Sequence, residues 1–190
     1  MSAEDVRFDR RAILFGKWHR SESVQPPAAV PPRAVNWVRP PGAIDPSVFV
    51  QACDGCAACA DACPARAISM TGPAVAGRKP GPRIDGAQSP CVMCEDIACV
   101  EACPTNALAP IDRGAIRIAQ IRFDESRCLA AVGEDPNCRV CADRCPVGPA
   151  AISMTASNGP IISSACAGCG VCVHYCPATP PPLIQLPTPL

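Results

Sequence analysis

The chain has 190 residues, a formal net charge of zero, and an unusual inventory: 16 cysteines, 24 prolines and 13 glycines, but only 2 Trp, 1 Tyr and 4 Phe. That length suits one domain or two small ones, yet so few aromatics exclude an ordinary large apolar core. The balanced charge shows no nucleic-acid patch, no stretch approaches the ~18–20 apolar residues of a membrane span, and no Ser/His/Asp arrangement, carboxylate pair or phosphate loop points to an enzyme acting alone.

In chain order, residues 1–20 fit a short amphipathic helix, with Val6, Phe8, Ile13, Leu14 and Trp18 as apolar contacts. This segment is expected to contact a partner, through Arg10, Arg11 and Trp18, because Arg and Trp are enriched at binding hot spots. The plainer reading is a terminus docked on its own domain. Arg10-Arg11 also opens like a twin-arginine export signal, but such signals need an apolar run of about 7–15 residues. Ala12 to Phe15 is shorter, so a soluble, cytoplasmic protein is expected. Residues 21–43 are a Pro-rich linker, semi-rigid and extended. Residues 44–177 carry all the cysteines, and 178–190 form a Pro-rich tail.

The cysteines fall into four quartets, each closed by Cys-Pro. The first, Cys53/Cys56/Cys59/Cys63, and the fourth, Cys166/Cys169/Cys172/Cys176, both read C-x2-C-x2-C-x3-C-P, the run by which bacterial ferredoxins hold [4Fe–4S] cubes. Two short gaps wrap three thiolates around one cube. The x3 gap carries the fourth about a helical turn away, and in two-cluster ferredoxins that cysteine ligates the other cube. Proline then turns the chain out of the site. The second quartet, Cys91/Cys94/Cys99/Cys103, has a longer middle loop. The third, Cys128/Cys138/Cys141/Cys145, has nine residues between its first two cysteines, a gap that leaves room for a ligand from elsewhere. Four [4Fe–4S] clusters are predicted. Zinc favours two C-x2-C pairs set well apart, and disulfides belong to small secreted chains; neither explains four Cys-Pro closures.

Between the quartets a repeat is visible. Ala67 to Met70, Ala107-Leu108, Ala151 to Met154 and, more loosely, Leu183-Ile184 follow the Cys-Pro turns. Arg83-Ile84-Asp85, Ile118 to Phe123 and Pro160 to Ile162 precede the next quartets. These predict short antiparallel strands with one helical turn or short helix per unit, joined by Gly/Pro loops. The expected fold class is α+β, a duplicated ferredoxin-like polyferredoxin. Met70 and Met154 are read as apolar lining, His19 and His174 as surface or packing residues, and Tyr175 as packed against a cluster.

Charge is unevenly placed. Residues 1–40 hold 7 Lys/Arg against 4 Asp/Glu, and residues 41–190 hold 10 against 13. Four oxidised cubes, each about −2 with its thiolates, would bring the cluster body to about −11. An acidic body with a basic tail steers toward basic partner surfaces.

With these residues assembled, the chain resembles the NapF family, ferredoxin-type accessory proteins of the periplasmic nitrate reductase system. The resemblance rests on Arg-Arg-x-Ile-Leu-x-Gly-Lys-Trp (Arg10 to Trp18), the Pro-Pro segment, the four quartets, Cys128-Leu129-Ala130 with Cys138-Arg139-x-Cys141, and Cys166-Ala167-Gly168-Cys169-Gly170. Arg39 to Ile44 and Cys91 to Cys99 instead resemble the NapG/MauM ferredoxin-type subunits of quinol-oxidising complexes. Those carry a full twin-arginine signal, so NapF is preferred. The resemblance implies an accessory electron carrier that helps mature the molybdenum-containing catalytic subunit of nitrate reductase. The alternatives are an electron-transfer subunit of a membrane-associated oxidoreductase or quinol dehydrogenase complex, and a non-redox binding module stapled by clusters. Pairing of quartets stays open between adjacent (first with second, third with fourth) and nested (first with fourth). The second quartet's likeness to four-cluster reductase subunits favours nesting, which would place Cys176 beside Cys53/Cys56/Cys59.

Overall fold

The structure is a computed structural model that describes residues 38–71, 80–155 and 159–187. The expected N-terminal helix, its partner-contact residues Arg10, Arg11 and Trp18, His19, and linker residues 21–37 lie outside the described residues.

Helix α1 (Pro46–Ala52) starts where Asp45 caps it, its carboxylate accepting the Ser47 N–H at 2.9 Å, and where Pro46 pre-sets the first turn. The Ser47 hydroxyl bonds that carboxylate as well and holds its pKa below the usual value. Phe49 is the residue α1 buries, under the Arg39 guanidinium at 5.0 Å. The helix ends by handing the chain to Cys53, whose N–H donates to the Phe49 carbonyl. Helices α2 (Ala58–Asp61), α3 (Ala98–Glu101), α4 (Val140–Asp143) and α5 (Val171–His174) are each four residues long. Each carries the third cysteine of one quartet. α2 packs on α3, and α4 packs on α5.

Six short strands make three two-stranded antiparallel sheets: β1 (Ile68–Thr71) with β2 (Gly81–Ile84), β4 (Ile152–Met154) with β5 (Pro160–Ile162), and β3 (Ala119–Phe123) with β6 (Leu183–Pro187). Ile68 faces Ile84 across the first sheet, and Ile152 faces Ile162 across the second. Residues 119–187 are closed into one unit by β3 and β6, where Phe123 meets Leu183. In the first half the corresponding closure is a single bridge, Ala43 to Leu108. Ala107-Leu108 is therefore a bridge rather than the expected strand: the Ile44 N–H donates to the Ala107 carbonyl (3.2 Å) and the Ala109 N–H to the Gly42 carbonyl (2.7 Å), and Pro110 has no N–H with which to extend the ladder.

Both boundaries of the expected cluster body shift. Val38 exchanges backbone hydrogen bonds with Ile84 (3.1 and 2.8 Å) and is buried, so the end of the Pro-rich linker is built into the body. At the other end β6 places part of the Pro-rich tail in a sheet.

The apolar interior is small-featured: Val38, Phe49, Ile68, Ile84, Leu108 and Ile116 in one cluster, with Ala151, Ile152, Val173 and Leu183 in another. Ile84, fully buried at the first sheet's end, is expected on change to Ala to destabilise the holo protein by about 2–5 kcal/mol. A denaturant midpoint measured anaerobically checks this; an unchanged midpoint removes Ile84 from the core. Among the described residues no helix is long and apolar enough to cross a membrane.

Candidate metal centres

In the first, second and fourth quartets the cysteine loops are held by left-handed residues between ligands: Gly55 and Ala57, Met93 and Ile97, Gly168 and Gly170. Such residues among right-handed ones turn successive N–H groups to one side, making the concavity in which anionic groups, iron–sulfur centres among them, are held. Ala57, Ile97 and Gly170 are also the N-cap positions of α2, α3 and α5. The third quartet is built differently. Its nine-residue insertion folds back on itself through Val132 N–H to Cys128 O (2.9 Å), Asp135 N–H to Leu129 O (3.0 Å) and Cys138 N–H to Asp135 O (3.0 Å). That loop returns Cys138 to Cys128's side, so both line one cavity despite the insertion.

Four cavities result, each lined by four cysteines. Cys53, Cys56 and Cys59 share one with Cys103. Cys91, Cys94 and Cys99 share the next with Cys63. Cys128, Cys138 and Cys141 share the third with Cys176, and Cys166, Cys169 and Cys172 the fourth with Cys145. The spaces, each partly open to solvent, measure about 290, 400, 340 and 260 Å³ in that order, solvent space included. Among the described residues no three His, Cys, Asp or Glu side chains converge on a point as for a single ion; the thiols stand around a volume.

This thiol geometry overturns the nested pairing. Cys176 lies with the third triad, and Cys103 is the cysteine that reaches the first. The reason is local. α2 and α3 pack together, so each passes its fourth cysteine across to the other's loop, and α4 and α5 do the same. The β3–β6 closure then keeps Cys176 within the second half.

Burial dominates the electrostatics. It pushes Cys59 up to about 11, reinforced by Cys53, Cys103 and Cys56, and Cys99 up to about 12, reinforced by Cys91, Cys94 and Cys63. Burial likewise raises Cys141 to about 11, with Cys128, Cys138 and Cys176 acting the same way. Cys172 is raised by burial and then by Cys169 and Cys166. These thiols are neutral at pH 7, and a metal that takes them as thiolates must displace their protons. Cys103 goes the other way: burial opposes its ionisation, but bonds from the Leu108 N–H and from Thr105 outweigh it. Leu108 N–H donates to Cys103 Sγ at 3.5 Å, and Ala67 N–H donates to Cys63 Sγ at 3.3 Å. Both follow a Cys-Pro turn containing one left-handed residue, Asn106 or Arg66. Hydrogen bonds to ligand sulfur are among the factors that set cluster potentials.

Met70 lines the first cavity and Met154 the third, with the Met154 sulfur 4.0 Å from Cys141 Sγ. Tyr175 lines none of these four cavities. It is exposed and lies under the Arg144 guanidinium at 4.7 Å. His174 is exposed, and its Nδ1 lies 2.9 Å from the Ala87 carbonyl. Gln185 escaped sequence reasoning: it sits in the tail, and its buried contacts with Gly86 and Gly168 are visible only in three dimensions. The glycines flanking Cys169 were the available signal.

Comparison with known proteins agrees with this chemistry. Residues 52–107 and 90–149 match the 4Fe-4S dicluster domain family, and residues 163–179 match a 4Fe-4S binding domain. The chain is 35% identical over 161 residues to the methylamine utilization ferredoxin-type protein MauM of Methylophilus methylotrophus, covering 77% of this chain and 69% of that one. It is 32% identical over 165 residues to the ferredoxin-type protein NapG of Escherichia coli K12 (79% and 70%). Against the ferredoxin-type protein NapF of the same organism it is 30% identical over 175 residues, covering 90% of each. No solved structure matches the chain.

Proposed function

The chain belongs to the NapF, NapG and MauM family of ferredoxin-type [4Fe–4S] electron carriers and binds multiple such clusters, and from that premise we propose that it holds four cubes in two duplicated dicluster modules. The ligand sets are the four groups of thiols that line the cavities: Cys53, Cys56, Cys59 and Cys103; Cys91, Cys94, Cys99 and Cys63; Cys128, Cys138, Cys141 and Cys176; Cys166, Cys169, Cys172 and Cys145. The observation that carries this reading is the crosswise supply of each fourth cysteine, which is how a two-cluster ferredoxin shares ligands. Bound cubes supply one-electron transfer. The protein's part is to bury the thiolates, hydrogen-bond their sulfurs and exclude solvent.

The role we propose is that of a cytoplasmic accessory electron carrier in the maturation of the molybdenum-containing catalytic subunit of periplasmic nitrate reductase. It is supported by the match to a NapF over nine-tenths of both chains. Residues 1–20, through Arg10, Arg11 and Trp18, are the proposed contact with that subunit, carried by a Pro-rich segment that gives them reach. An affinity-tagged chain from cells assembling nitrate reductase is expected to recover the molybdenum subunit, and a version lacking residues 1–20 is expected to lose it. Recovery of no molybdenum enzyme by the full chain would count against the maturation role.

A second reading is favoured by the higher identity to MauM and NapG: a resident electron-transfer subunit of a membrane-associated oxidoreductase or quinol dehydrogenase complex. A stoichiometric complex that survives purification selects it.

A further inference from the structure

Gln185 is the buried polar side chain among the described residues, 6% exposed, on a strand whose neighbours are apolar. Its Oε1 accepts the Gly86 N–H at 3.0 Å, and its Nε2 donates to the Gly168 carbonyl at 2.6 Å. Gly86 belongs to the first half, on the approach to the second triad, whereas Gly168 lies inside the fourth triad's loop. One amide thus bonds both halves at the point where two cysteine loops meet. Direct contact continues beside it: the Cys91 N–H donates to the Cys169 carbonyl at 3.1 Å, and the Ile118 N–H to the Ala167 carbonyl at 2.9 Å.

The backbones approach as closely as glycine allows. Gly170 has φ +88°, and a Cβ there would fall 2.5 Å from the Gly86 Cα; one on Gly86 would fall 2.6 Å from Gln185 Oε1 and 2.8 Å from the Gly170 Cα. No other residue fits such spacing. Within each half the two triads adjoin directly, through the packing of α2 on α3 and of α4 on α5.

We propose that Gln185, with Gly86 and Gly170, is a positioning residue that locks the second and fourth cysteine triads against each other, so that the four cluster sites stand in one row in the order first, second, fourth, third triad. The row begins in the loop containing the exposed Cys56 and ends at the triad with the long insertion. It differs from the order of the quartets along the chain. This inference rests on the ligand assignment above.

The test is EPR spectroscopy of the dithionite-reduced holo protein, with iron and sulfide counts on the same samples. Gln185→Leu is expected to keep four cubes and the spin coupling within each half, while the interaction between halves is lost and the spectrum becomes the sum of two separate pairs. An unchanged four-spin spectrum at full cluster content overturns the positioning role. Gln185→Glu, which keeps the acceptor for Gly86 and removes the donor to Gly168, is expected to lie between. Should Gln185→Leu fail to load four cubes, the order is read from Cys94→Ser. Loss of the second site is expected to leave the first magnetically isolated and the third and fourth still coupled. A first site that stays coupled overturns the row. Wild-type protein, reconstituted to saturation, that carries fewer than four cubes counts against the ligand assignment instead, which separates the two failures.

Discussion

Stripping iron and sulfide from the purified protein by anaerobic chelation is expected to abolish its native circular dichroism and its slow amide exchange, and only reconstitution with iron, sulfide and thiol is expected to restore them. The elements are too short to persist alone. Four of the helices are four residues long, whereas isolated helices below about 12–15 residues are marginal in water. The sheets are pairs of strands of three to five residues, and a lone two-stranded sheet is marginal at best. Among the described residues the buried side chains are mostly Val, Ile, Ala and Cys, with Phe49 the buried aromatic. Structural metals supply folding free energy where a small core does not. A native-like spectrum in the iron-free chain overturns this expectation.

The second large effect concerns the crossed cysteines. Cys103→Ser is expected to damage the site of Cys53, Cys56 and Cys59, although Cys103 belongs to the second quartet in sequence. Cys63→Ser is expected to damage the site of Cys91, Cys94 and Cys99. Iron counts on double variants give the assignment, because replacements within one site are not additive whereas those in separate sites are. Cys56→Ser with Cys103→Ser is expected to cost one cube's iron, and Cys94→Ser with Cys103→Ser two. Were each quartet self-sufficient, these two outcomes would be exchanged. Were the pairing nested, Cys103 would instead join Cys128, Cys138 and Cys141, and both pairs would cost two.

That the chain binds several [4Fe–4S] clusters was legible because cubane ligation is a local problem: three thiolates on one tight loop fix the spacing, whatever surrounds it. The strand positions were legible for a related reason, since Ile68, Ile84 and Ile152 sit beside Gly- and Pro-rich turns. Which triad receives which fourth cysteine is a tertiary matter. Cys63 and Cys103 have the same local sequence context, and their exchange follows from the packing of α2 on α3. The second quartet's likeness to four-cluster reductase subunits therefore pointed to the wrong partner. In the tail Leu183-Ile184 was legible as an apolar segment, and its continuation as a strand to Pro187 depends on β3 lying ready to pair with it.

The exchange of fourth cysteines also bears on how the protein is made. As the chain leaves the ribosome, the loop ending at Cys59 is in place early, but its cavity stays open on one side until Cys103 has emerged. Cys63 waits the same way for the loop that begins at Cys91. Neither site of a half can close before the other's segment exists, so the natural unit of loading is the pair. On the proposed ligand assignment, residues 44–108 are expected to mature together and 119–187 together, and damage to one site in a half to expose the thiolate that its quartet lends to the other.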